Sequence, residues 1–89
     1  MKKKDLLIEN KLGLHARAAA QIVKVASAYS SKIAFFKDDL EVDGKSIMGI
    51  MMLAAAKGSS VVVEAHGDDE ERALLGLEQL FKDKFGEKE

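Results

Sequence analysis

The 89-residue chain contains no cysteine, no proline and no tryptophan. Without cysteine there is neither a disulfide framework nor a thiolate metal site. Without proline, the seven glycines supply most of the punctuation. Long apolar runs are missing as well. Behind the basic start Met1-Lys2-Lys3-Lys4, Asp5 and Glu9 leave only Leu6-Leu7-Ile8, too short for the core of an export signal. No stretch approaches the roughly 20 apolar residues that span a bilayer. A cytoplasmic protein without membrane insertion is expected. A dominant charge is also lacking. Fourteen basic and 15 acidic residues give a net charge of −1, which provides no global drive toward nucleic acid, and no nucleic-acid partner is expected.

What remains is a globular balance, 47% hydrophobic and 33% charged. Eighty-nine residues have room for one core, so residues 1–89 are expected to form a single domain. The first strand is expected over 5–9, with Leu6 and Ile8 inward and Leu7 outward. A turn follows at Asn10-Lys11-Leu12-Gly13. The spacing of Ala19, Ile22, Val23 and Ala26 predicts a helix over 16–28 whose small residues lie close to a sheet. Strands over 32–37, with Ile33 and Phe35 inward, and 40–42 should form a hairpin around Asp38-Asp39. Ser46 is placed to cap a second helix over 47–53, which Ala54-Ala55-Ala56-Lys57 could extend as far as Gly58. The unbroken Val61-Val62-Val63 points to a central strand over 61–65. A third helix over 70–84 carries the stripe Ala73, Leu74, Leu77, Leu80 and Phe81, with acids in its first turn and lysines in its last. The tail 86–89 should fray. The order β-α-β-β-α-β-α implies two layers, helices on one face of a sheet. Periodicity leaves the strand order open.

The most informative stretch is Lys11-Leu12-Gly13-Leu14-His15-Ala16-Arg17-Ala18-Ala19-Ala20. It sets a histidine and an arginine where a turn gives way to a helix. A helix start offers unpaired N–H groups and a partial positive charge, both suited to an anion. His15 can act there as a nucleophile, and Arg17 can hold phosphate oxygens. The chemistry expected of the pair is phosphoryl carriage on His15. Neutral imidazole suits a reversible carrier because a phosphoryl group on nitrogen is readily passed on. Arg17 and the N–H groups of Ala16 and Arg17 would meet the charge on the transferred group.

Taken together, Gly13-Leu14-His15-Ala16-Arg17, Lys45-Ser46-Ile47-Met48-Gly49-Ile50-Met51 with Ala56-Lys57-Gly58, and Gly67-Asp68-Asp69-Glu70-Glu71 resemble the HPr-type phosphocarriers of the bacterial phosphoenolpyruvate-dependent phosphotransferase system. The resemblance covers nearly the whole chain. It implies an α+β, two-layer open-faced β-sandwich whose four antiparallel strands run in the order 1-4-2-3, with three helices on one face. It implies that enzyme I phosphorylates His15 on Nδ1 and that IIA domains receive the group, with Arg17 stabilising it. No cofactor and no metal are implied, and the protein acts with partner enzymes rather than as an enzyme itself. A monomer is expected. Ser46 matches the family's second site, phosphorylated by an HPr kinase/phosphorylase where the host has one. Ile47, Met48 and Met51 would form part of a docking patch, with Ile50 and Leu53 turned inward. Flexible methionines suit a surface that fits several partners.

One residue departs from the family. Proline usually follows the arginine, and here Ala18 stands instead. Alanine is an excellent helix former, so the helix should survive with a less rigid first turn. His66 reads as a surface residue at a strand end, and Asp68, Asp69, Glu70 and Glu71 as helix-start charges. A second reading makes the chain a regulatory binding protein, in which phosphorylation of Ser46 controls docking to a transcriptional regulator or an enzyme. The stretch 10–13 is similar to the family's nitrogen-related branch, whereas 45–49 is closer to the sugar-uptake branch.

Overall fold

The computed structural model describes residues 1–88. Glu89, the last residue of the tail expected to fray, lies outside the described residues. The elements in order are β1 (Lys2–Leu7), α1 (Ala16–Ser27), β2 (Lys32–Lys37), β3 (Leu40–Asp43), α2 (Ile47–Met52), β4 (Ser60–His66) and α3 (Glu70–Lys82), followed by a short 3-10 turn at Lys84–Gly86. The strands form one antiparallel sheet in the order β1-β4-β2-β3. The valine-rich β4 is therefore central, with partners on both sides.

Alternation along the strands sorts the two faces. Leu6, Ile33, Phe35, Val42, Val61, Val63 and Ala65 are buried beneath the helices. Leu7, one residue from Leu6, is exposed on the open face. From the helices, Ala18, Ala19, Ile22 and Ala26 of α1 and Ala73, Leu74, Leu77 and Phe81 of α3 complete the core. Val23 and Leu80 are half-buried against it. Phe35 and Phe81 stack across the layers, with ring centroids 6.2 Å apart.

Four boundaries or packings differ from the sequence-based expectation, each through tertiary contacts. First, β1 begins at Lys2 and ends at Leu7, because its pairing with β4 runs from Lys2–Ala65 to Leu7–Ser60. Lysines on an edge strand discourage pairing with another chain. Ile8 stays buried beyond the strand, exchanging backbone hydrogen bonds with Gly58 and Ser59 (2.9 Å each). Second, α1 packs chiefly beside the helices α2 and α3, while α3 lies against β1 and β4.

Third, α2 stops at Met52 and does not run through the alanines. Ala54 turns to φ 49°, and the Ala55 carbonyl accepts from Leu14 N–H at 3.0 Å. That long-range bond takes precedence over the helix propensity of alanine. Fourth, the chain after Lys82 leaves α3. Lys84 and Phe85 adopt left-handed backbone (φ 55° and 57°), and the Phe85 ring is buried edge-on to Phe81, centroids 4.9 Å apart. The tail as far as Glu87 is thus held, against the expectation of fraying.

The start of α3 is anchored separately. Asp69 accepts backbone N–H groups from Ser30 (2.9 Å) and Ser31 (3.0 Å) and both serine hydroxyls. The Ser31 hydroxyl and the Ser30 backbone N–H do most to hold its carboxyl near a pKa of about 2. No helix among the described residues is long and apolar enough to cross a membrane.

Candidate functional site

His15 is the N-cap residue of α1, extended at φ −74° and ψ 177°. Its carbonyl accepts the first helical hydrogen bond, from Ala19 N–H at 2.8 Å. The N–H groups of the first turn have no partner within an α-helix and face its N-terminal end. The turn before His15 depends on Gly13. Its φ is +67°, and a Cβ there would lie 2.5 Å from the Ala55 carbonyl oxygen. A side chain at position 13 would be strained and would also push apart the His15 loop and the segment after α2.

Ala18, in place of the family's proline, is fully buried in the first turn of a helix that begins at Ala16 as expected. His15 itself is partly accessible, with 28% of its side chain exposed, and Arg17 is exposed. Both line a shallow depression of about 600 Å³ with Lys11, Leu12, Glu87 and Lys88. Lys11, Arg17 and Lys88 bring three cationic side chains to its wall.

Glu87 is a residue of this site that sequence reasoning missed. Its Oε2 meets His15 Nε2, and its Oε1 accepts from Asn10 Nδ2 at 3.0 Å. Desolvation pushes the Glu87 carboxyl up. The hydrogen bonds from Asn10 and His15, with the charges of His15 and Arg17, outweigh it and hold the carboxyl below its ordinary value. An ionised carboxylate only accepts, so Nε2 is the donating nitrogen. In the neutral ring the lone pair then sits on Nδ1. A signal was present in the sequence: Phe85 follows Phe81 by four residues, the spacing of one helical face, so the chain near 85 had reason to stay on the core.

The other expected positions lie on α2, outside this depression. Ser46 caps the helix, its Oγ accepting from Gly49 N–H at 3.1 Å. Ile47 (43%), Met48 (77%) and Met51 (43%) are exposed, and so is Met52 (65%), whereas Ile50 and Leu53 are buried. The exposed set forms an apolar surface on a helix packed beside α1. Leu12, 68% exposed, adds an apolar side chain at the rim of the His15 depression. His66 is exposed at the end of β4, in a larger concavity of about 640 Å³ on the open sheet face that contains none of the site residues above. No cluster of His, Asp or Glu among the described residues could hold a metal ion.

Comparison with known proteins agrees with this architecture. Residues 2–83 match the family model described as the PTS HPr component phosphorylation site. The chain is 46% identical to the phosphocarrier protein HPr of Cupriavidus necator and 48% identical to that of Neisseria meningitidis serogroup A, over the full length of each. Among solved structures, HPr-C-His from Thermoanaerobacter tengcongensis superposes with a TM-score of 0.95 at 49% identity, covering all of both chains. The Bacillus subtilis protein Crh, described as a catabolite-repression protein forming a swapped dimer, gives 0.75 at 37% identity, covering 94% of this chain and 97% of its own. The chain therefore belongs to the HPr family, the phosphocarrier proteins of the phosphotransferase system.

Proposed function

We propose that His15 Nδ1 accepts a phosphoryl group from phosphorylated enzyme I and passes it to the IIA domains of sugar uptake or of a nitrogen-related branch. The observation that carries this reading is the His15 ring at the start of α1. Its Nε2 is occupied by Glu87, which leaves Nδ1 as the nucleophile of the neutral ring. As the Nδ1–P bond forms, the bond from phosphorus to the donor breaks. In the onward step the same Nδ1–P bond breaks as the acceptor attacks. Arg17 and the N–H groups of Ala16 and Arg17 meet the charge on the equatorial oxygens. Residues 1–89 work as one carrier domain, a monomer in the cytoplasm. The protein is no enzyme in its own right, since the partners supply the remaining positioning.

Ile47, Met48 and Met51 form the docking patch beside this site, and their exposure supports that assignment. The test is incubation with enzyme I and phosphoenolpyruvate. The wild-type chain takes up one acid-labile phosphoryl group, and His15→Ala takes up none. Equal labelling of His15→Ala would refute the assignment.

The position of Ser46 favours a second, compatible role. Its hydroxyl is half-buried at the cap of α2, next to the exposed Ile47 and Met48. A phosphate there adds about −2 charge beside the patch. It would weaken docking to an acidic partner and offer a new feature to a transcriptional regulator. An HPr kinase/phosphorylase with ATP should then label the wild-type chain and not Ser46→Ala. Labelling of both would remove this role.

A further inference from the structure

Asn10 is buried with 0% of its surface exposed, and it stands outside the roles assigned above. Both hydrogens of its Nδ2 are engaged. One is donated to the Gly13 carbonyl oxygen at 2.8 Å, the other to Glu87 Oε1 at 3.0 Å. Its Oδ1 has no protein donor among the described residues. Turning the amide over would aim Oδ1 at two acceptors, the Gly13 carbonyl and the Glu87 carboxylate, so the orientation is fixed by chemistry. An unmatched buried acceptor costs about 1–3 kcal/mol. What the buried amide gives in return is its two donated hydrogen bonds, to Gly13 and to Glu87.

The two groups that Asn10 holds belong to the segments on either side of His15. Gly13 lies two residues before it and makes the turn that its positive φ allows. Glu87 comes from the far end of the chain, and its second oxygen meets His15 Nε2. The backbone of Glu87 is tied to the Lys84 carbonyl at 2.9 Å, but its side chain stands between the exposed Gly86 and Lys88. Without the Asn10 donor the carboxylate could rotate away from the ring. We infer that Asn10 is a positioning residue: by clamping one oxygen of Glu87, it aims the other at His15 and keeps the ring in the tautomer with the lone pair on Nδ1. Its consequence for phosphoryl transfer rests on the proposed role of His15. Its effect on the ring does not.

The test uses the full chain with ¹⁵N-labelled histidine, read by NMR at alkaline pH. His66, the other histidine and an exposed one, serves as reference in the same spectrum. In the wild type, His15 should be held in the form protonated on Nε2. Asn10→Leu keeps the bulk and removes the donor; it should move the His15 nitrogens toward the His66 pattern. Glu87→Leu should do the same, and the double variant should go no further than either single one, since both act on one link. With enzyme I, kcat should fall several-fold in Asn10→Leu while KM is unchanged, because the docking patch is untouched. A folded Asn10→Leu protein with an unaltered His15 ring would overturn the inference. If Asn10→Leu fails to fold, the link is read from the other end. In Glu87→Leu the Asn10 side-chain amide protons should exchange faster with solvent, and unchanged exchange would equally overturn it. A shifted tautomer in a chain whose wild type takes no phosphoryl group on His15 would uphold the positioning role and refute the carrier role.

Discussion

At the scale of single residues, the chain ties its ends and loops together with a few ionised groups. Asp69 is the clearest case, because one carboxylate receives four donors from Ser30 and Ser31. Its folded pKa of about 2 lies below the ordinary 3.8. A depressed carboxyl contributes stability that is fully present above its unfolded pKa and lost as pH falls through its folded one. Thermal unfolding of the wild type and Asp69→Asn should therefore differ by a constant amount above about pH 5, and the gap should close as pH falls toward 2. A gap that persists undiminished at pH 2 would show that the serine contacts do not depend on ionisation. His15 and Arg17 could be singled out at this scale from residue type and spacing, and the fold brings both to one depression. Asn10 and Glu87 could not. Each is an ordinary polar residue in its local sequence, and they acquire meaning only when the fold brings together positions 77 apart.

At the scale of elements, periodicity, caps and turn residues located the four strands and three α-helices, and the errors fall where long-range contacts compete with local preference. Ala54-Ala55-Ala56 looks helical in isolation, yet the Leu14–Ala55 hydrogen bond uses that segment to brace the His15 turn. The end of α3 shows the same competition. Phe85 reaches the core only by taking left-handed backbone, which an aromatic residue rarely does. Burial of its ring compensates that strain. Replacing it should show how much the tail depends on it. Phe85→Ala should cost about 3–5 kcal/mol in urea unfolding. It should also loosen Glu87 from His15, visible as a change in the His15 ring signals. A loss below about 1 kcal/mol would mean that the ring contributes little beyond its exposed alternative.

At the scale of the whole molecule, one architecture serves both stability and access. The β1-β4-β2-β3 sheet gives its buried face to three helices, and the turn before α1 presents His15 at the surface. Alternation of apolar residues revealed two layers but could not choose among strand orders, since pairing partners are set by contacts between distant segments. The HPr resemblance supplied that order, and the sheet has it. The tail adds the Glu87 carboxylate to a depression that also holds the cations Lys11, Arg17 and Lys88. The central claim is that phosphorus is carried on Nδ1 of His15, the nitrogen left free by Glu87. It is tested most directly by ³¹P and ¹⁵N NMR of the full chain after phosphorylation by enzyme I and phosphoenolpyruvate. The account predicts one phosphorus resonance coupled to Nδ1 of His15. Phosphorus bonded to Nε2, or to any other residue, would contradict it.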